Sequence, residues 1–248
     1  MPPRLYDDLA HLWPVLSPPE DYEAEAAAIG HAITPAMPAD RRPTLLELGA
    51  GGGHTLVHLA DRFDCTADDL SPSMLNNCRR LVPSARAIVG DMRSLRLDET
   101  FDAVLVHDAI DYMTTPEDAR AALVTVAAHL RPGGVAVIAP TYVADDFEDG
   151  DYEADQAHAD GLTLTYLSYA RRRPGDPYRL ELHLAYVIDR GGDIEVVHDA
   201  HECGLFALDQ WHRWIEEAGL QSNEEGTTVG AWHGLIAQRP GDGTLREC

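Results

Sequence analysis

Three glycines at alternate positions, Gly49, Gly51 and Gly53, follow the apolar run Thr44 to Leu48 and precede Thr55 to Ala60, which reads as the start of a helix. A glycine turn between a strand and a helix removes side chains where a ligand can approach the backbone and the helix start. Alone, such a turn is equally a tight connection with no ligand. The spacing here is Gly-x-Gly-x-Gly followed by His54, whereas the dinucleotide fingerprint requires its third glycine at position 54, and this counts against NAD. Asp69 lies 69 − 49 = 20 residues after the first glycine, at the end of the next predicted strand, where a carboxylate can accept both hydroxyl hydrogens of a ribose. Asp68 competes for that role, but strand alternation points the two side chains oppositely. Val89-Gly90-Asp91-Met92 puts a further acceptor at the end of a third strand, where Asp91 suits an adenine amino group and the Met92 backbone N–H a ring nitrogen. Singly, each aspartate is equally a surface or capping residue. Jointly, they outline an adenine-nucleoside site.

The elements that must position these residues alternate. Strands are predicted at 44–48, 64–69, 85–89, 101–106 and 134–139, with helices at 72–81 and 116–130 between them. This order implies an α/β fold, a Rossmann-like, doubly wound and mostly parallel seven-stranded sheet whose ligands bind beyond the strand C-terminal ends. The Ala-rich stretch Asp21 to Ile33, behind Ser17-Pro18-Pro19, predicts an N-terminal helical cap over residues 1–40. After Thr141 the rhythm changes to apolar runs at 162–170, 178–188 and 193–198, separated by Pro174-Gly175-Asp176-Pro177 and Gly191-Gly192. These predict an antiparallel β insertion over 141–201. A helix at 208–218 and two strands ending near Gln238 complete the core, 41–140 and 202–240, so the 248 residues are expected to form one domain.

Forty-five per cent apolar residues can fill such a core, and 19 basic against 42 acidic side chains give a charge of −23. That charge repels a nucleic-acid backbone and otherwise reads as a solvated surface. No stretch of about 18 apolar residues or signal-peptide core is present, so neither a membrane span nor export is expected, and a cytoplasmic location is. Cys65, Cys78, Cys203 and Cys248 are too scattered for a disulfide framework or a Cys-x-x-Cys metal site, and no metal is expected.

From about Tyr22 to Gln238 the chain resembles the class I S-adenosylmethionine-dependent methyltransferases. The resemblance rests on Leu46-Glu47-Leu48-Gly49-Ala50-Gly51-Gly52-Gly53, Asp69-Leu70-Ser71-Pro72-Ser73-Met74-Leu75, Gly90-Asp91-Met92, Phe101-Asp102-Ala103-Val104 and Leu130-Arg131-Pro132-Gly133-Gly134. It implies that Glu47 contacts the amino end of S-adenosyl-L-methionine, that Gly49, Gly51 and Gly53 admit its methionine portion, that Asp69 with Leu70 holds the ribose, and that Asp91 with Met92 holds adenine. His107, ending the fourth strand, is either a further cofactor contact or a structural hydrogen-bonder. S-adenosyl-L-homocysteine is the implied product.

A narrower resemblance is to the N,N-dimethyltransferases of nucleotide-linked amino sugars. It rests on Tyr6-Asp7-Asp8, Asp21-Tyr22-Glu23-Ala24-Glu25-Ala26, Phe147-Glu148-Asp149-Gly150, Arg179-Leu180-Glu181-Leu182-His183 and Asp199-Ala200-His201 with Leu205-Phe206. The segment His107 to Tyr112 departs from that pattern. The resemblance implies a small-molecule amine acceptor, a β insertion roofing it, and acceptor contacts from Tyr6, Tyr142, Arg179, Glu181, His183 and His201. Tyr22 either closes over the methionine portion as part of the catalytic site or, like Tyr6, packs the cap. Asp199 and His201 share a strand face and His198 points away, which disfavours a His198–His201 metal pair. A histidine beside a carboxylate can accept a proton near neutral pH, so His201 is the first candidate base, against a structural hydrogen-bonding role. Arg171-Arg172-Arg173 either contacts a diphosphate or is a solvated strand end. The rival functions are O-methylation, noncatalytic cofactor binding and NAD-dependent oxidoreduction. A homodimer is admissible.

Overall fold

The computed structural model describes residues 3–159, 161–223, 227–229 and 232–241. Its first βα unit is strand β1 (Thr44–Leu48), a glycine turn and a short helix (His54–Leu59). The strands β2 (Asp64–Asp69), β3 (Arg86–Val89), β4 (Phe101–His107) and β5 (Leu130–Ala139) follow, with helices Pro72–Leu81 after β2 and Pro116–His129 after β4. Both longer helices carry proline at their first position behind a side-chain cap: Ser71 accepts from Met74 N–H at 3.0 Å, and Thr115 from Asp118 N–H at 3.1 Å.

The parallel order is β3-β2-β1-β4-β5. The closing strand, Trp232–Gln238, runs antiparallel beside β5, and Gln221–Ser222 pairs beyond it. From the β3 edge the chain returns to lay β4 beside β1, so the strand order reverses between β1 and β4. A crevice opens at the C-terminal ends of the strands at such a reversal. One face of the sheet packs Trp211, Trp214 and Phe206 with Leu46, Val104 and Leu123, and the other packs Ile29, Ile33, Leu56 and Leu75 with Leu45 and Leu105.

The second sheet is antiparallel: β6 (Tyr152–Ala159), β7 (Leu162–Arg172), β8 (Arg179–Asp189) and β9 (Ile194–Gly204). β6 is absent from the sequence expectation for a physical reason. It is an edge strand with almost every residue exposed, so its sequence carries no apolar alternation. β9 continues six residues past the predicted end at 198 because Cys203 packs with Leu180 and Leu205 in a small separate core. Leu5, Leu9 and Leu12 of the N-terminal segment pack on the inner face of this sheet with Leu164, Tyr186 and Ile188. The cap itself is a chain of short turns before one helix, Glu23–Ile33. Cys65, Cys78 and Cys203 are buried and free, and Cys248 lies outside the described residues. No helix among the described residues is long and apolar enough to cross a membrane.

At the sheet edge opposite the crevice, Asp102 clamps three strand starts. Its fully buried carboxylate accepts two bonds of 2.7 Å from Arg41, 2.8 Å from Thr44 N–H and 3.0 Å from the Thr44 hydroxyl, and it contacts Arg131 Nε. This joins the Phe101-Asp102 and Arg131-Pro132 motifs in one structural interaction. The donors outweigh the burial cost and hold the Asp102 carboxyl well below the usual carboxylate range. A depressed folded-state value adds stability that is fully present above the unfolded value, about 4, and is lost as pH falls through the folded one. Asp102→Asn is therefore expected to lower stability by about 3 kcal/mol at neutral pH. In denaturant titrations the difference from wild type should shrink as pH drops below about 4.

Candidate active site

The crevice holds a cavity of about 350 Å³, in the range of about 300–1,000 Å³ typical of small-molecule sites. Its walls are the residues that follow β1, β2, β3 and β4, closed from above by Tyr6, Trp13 and Tyr22 of the N-terminal segment. No lysine or arginine is among the described residues that line it.

The glycine turn is left-handed at all three predicted positions, with φ of 75° at Gly49, 53° at Gly51 and 80° at Gly53. At Gly49 a side chain is also excluded by space, since a Cβ there would lie 2.2 Å from the Ala109 Cβ. Gly49 and Gly51 line the cavity, whereas Gly53 caps the following helix and packs toward Cys78. Ala50 N–H donates to Asp68 O at 2.8 Å and Gly51 N–H to Asp69 Oδ2 at 2.8 Å, which pins the turn to the end of β2. Asp69 Oδ1 accepts from Ser71 N–H at 2.7 Å, and burial still raises its carboxyl.

Glu47, next to last in β1, has a buried carboxyl whose Oε2 has no hydrogen-bond partner among the described residues, and burial with the charges of Asp69 and Asp108 pushes it up to about 8. His107 ends β4, lines the cavity and contacts Glu25 through Nε2. Burial lowers the imidazole to about 3 and raises Glu25 to about 9, with Asp108 and Glu47 adding to the latter, so the pair is neutral at physiological pH. The Tyr22 hydroxyl pairs with Ser17 at 2.7 Å, and its ring stands against His54 and His107. His54 accepts from Trp13 Nε1 at 2.9 Å and is driven down to about 4 by burial. Leu70 and Met92 also line the cavity.

Asp91 does not. Its carboxylate takes four bonds from Arg93: Oδ1 from the backbone N–H and Nε, both 2.9 Å, and Oδ2 from Nε at 3.1 Å and Nη2 at 2.6 Å. These are three N–H donors, the Nε–H being shared between both oxygens, and they tie the carboxylate to Arg93.

Of the predicted acceptor residues, only Tyr6 lines the cavity. The Tyr112 hydroxyl, missed in the sequence, lies 2.9 Å from the Tyr6 hydroxyl and 2.8 Å from His201 Nδ1, and His201 Nε2 pairs with Asp199 at 2.9 Å. His201 is thus buried behind the tyrosines with both ring nitrogens engaged, and burial lowers its pKa. It is not placed to meet a substrate directly. Arg179, Glu181 and His183 lie on the outer face of β8, turned from the cavity. There Glu181 pairs with Arg171 at 2.6 Å, Arg179 with Glu202 at 3.3 Å, and His183 stacks on His198. Tyr142 packs against Phe147 outside the cavity. The basic run is engaged as well: Arg173 pairs with Glu202, and Arg172 covers the Phe147 ring.

Asp108 was also missed. It lines the cavity just after β4, in the departing segment, with a left-handed φ of 47° and a 2.5 Å bond from the Thr141 hydroxyl. Burial pushes its carboxyl up to about 6. With ψ of −47° this backbone lies outside the αL well that aspartate favours, and a strained polar residue at a strand end is a recurrent mark of a functional site.

Residues 45–134 match the family described as a methyltransferase domain. A dTDP-3-amino-3,4,6-trideoxy-alpha-D-glucopyranose N,N-dimethyltransferase from Streptomyces venezuelae is 34% identical over 82% of this chain and 84% of its own length. The chain is an S-adenosylmethionine-dependent methyltransferase of that family. The methyltransferase superposes on the crystal structure of DesVI from Streptomyces venezuelae with a TM-score of 0.79 and 31% identity, covering 94% of this chain and 96% of the other. An amino pentose methyltransferase from Micromonospora echinaspora, solved with S-adenosylmethionine bound, gives 0.76 and 28%, covering 88% and 91%. The site of the methyltransferase fits this cofactor: buried carboxyl oxygens without partners among the described residues suit its ammonium and sulfonium, and the bare glycine turn admits its chain. Gly49→Ala, colliding with Ala109 and forced to φ of 75°, is expected to weaken S-adenosylhomocysteine binding about tenfold or more in calorimetry.

Proposed function

We propose that this enzyme methylates the amine of a nucleotide-linked amino sugar, twice in succession, to a tertiary amine. The observation that carries the reading is the cavity lining, to which Tyr6, Tyr112 and Asp108 all contribute and, among the described residues, no lysine or arginine does. An acidic, hydroxyl-lined recess suits a cationic amine better than a neutral hydroxyl. The names of the related enzymes, each an N,N-dimethyltransferase of a dTDP-linked amino sugar, support the same class.

Bound S-adenosylmethionine supplies an electrophilic methyl group on sulfur. In the proposed arrangement Glu47 pairs with its amino end, Asp69 accepts its ribose hydroxyls, Leu70 and Met92 enclose its base, and Tyr22 covers its methionine portion. Placement of the amine lone pair in line with the methyl group supplies much of the acceleration. The chain must also remove a proton, because an ammonium has no free lone pair. Asp108, raised to about 6, takes that proton near neutral pH, loses it to solvent across its exposed side, and, ionised again, takes the next from the monomethylated ammonium before the second transfer. His201, through Tyr112, fixes the Tyr6 hydroxyl at the cavity wall and is a positioning residue. The same reading places the enzyme in the cytoplasm and, since its charge of −23 repels a phosphate backbone, excludes nucleic-acid acceptors.

Two outcomes test these assignments. Incubation with dTDP-linked 3-amino and 4-amino deoxysugars should give one and then two added methyl groups by mass spectrometry. Methylation confined to hydroxyls of other small molecules would reject the amine assignment. Glu47 is neutral below about 8 and must ionise to pair with an ammonium, so cofactor binding at pH about 7 should release a proton there. Calorimetry in buffers of different ionisation enthalpy should show less proton release in Glu47→Gln than in wild type.

A further inference from the structure

Asp68, the residue before Asp69 on β2, is 1% exposed, lines the cavity, and has no hydrogen-bond partner on either carboxyl oxygen among the described residues. Leaving both oxygens of a buried carboxyl unpaired costs several kcal/mol unless a ligand completes them. The chain makes room for it. A Cβ at Gly90 would fall 2.2 Å from Asp68 Oδ1, so the bare glycine before Asp91 is what allows the carboxyl to sit against this wall. Met92 lines the same cavity. The carboxylate expected to meet the base, Asp91, is meanwhile engaged by three N–H groups of Arg93 and is not among the residues that line the cavity.

We propose that Asp68, and not Asp91, is the carboxyl that reads the amino-bearing edge of the cofactor's adenine. Burial, with the neighbouring charges of Asp69 and Asp91, pushes the Asp68 carboxyl up to about 7, so at neutral pH a large share is the neutral acid. A neutral carboxylic acid offers one donor and one acceptor side by side. Adenine offers the complement, an exocyclic amino hydrogen beside an unprotonated ring nitrogen, and the two together satisfy both orphan oxygens. The inference rests on the cofactor and not on the acceptor, so its failure leaves the amine assignment standing.

The test is calorimetry with S-adenosylhomocysteine and with its analogue bearing hydrogen in place of the adenine amino group, neither of which needs an acceptor. Wild type should prefer the amino-bearing compound about tenfold or more, the scale of about 1.4 kcal/mol. Asp68→Leu, similar in size and apolar, should abolish that preference while raising the melting temperature of the ligand-free protein, because an unpaired carboxyl is removed. Asp68→Asn keeps a donor and an acceptor and should retain the preference. Undiminished preference in Asp68→Leu, or equal loss of both compounds, overturns the proposal. Should Asp68→Leu fail to fold, Asp91→Ala decides: retained preference supports Asp68, and its loss assigns the base to Asp91.

Discussion

The bonds that tie the turn after β1 to the end of β2, Ala50 N–H to the Asp68 carbonyl and Gly51 N–H to the Asp69 carboxylate, are the constraint on which the cavity depends. Without them two adjacent strand ends would carry independent loops. With them the backbone of one loop and the carboxylate of the next form a single rigid lip. Gly49 must then turn left-handed against Ala109, which fixes the loop after β4 in the same geometry. Glu47, Asp69 and Asp108 are thereby brought around one space by three consecutive strands of the sheet, β2, β1 and β4.

The two sheets meet at this space through the N-terminal segment. Its leucines lie under the antiparallel sheet, Leu5 N–H donates to Asp199 at 2.9 Å, and the Ser71 hydroxyl, which caps the helix after β2, also donates to the Tyr6 carbonyl. Tyr6 therefore stands between the cofactor end of the sheet and the His201–Asp199 pair of the insertion. Its position reports on both.

The parts legible in the sequence were those set by short spacing along one βα unit: the glycine turn, Asp69 at the end of β2, Met92 after β3 and the strand order they imply. Strand alternation correctly turns Asp68 from Asp69. It does not reveal that the cavity wraps around the strand end, so that both can face it. Asp91 reads as a free acceptor until Arg93, two residues later, folds back on it. Arg179, Glu181 and His183 share a face by period two, but which face meets the body of the protein is decided by the leucines between them and by the N-terminal segment beneath. Asp108 had no pattern to announce it, since its place at the cavity comes from a backbone conformation and from Thr141, thirty-three residues away.

The absence of arginine and lysine from the described cavity lining has a consequence for turnover. Methyl donation converts a sulfonium into an uncharged thioether, so the spent cofactor carries one positive charge fewer than the molecule that entered. A cavity walled by carboxyl groups and facing no fixed cation holds the two with unequal strength, favouring the charged one. Each ionised carboxyl of that lining therefore loses one attraction when the methyl group leaves, and this term alone weakens the hold on the spent cofactor.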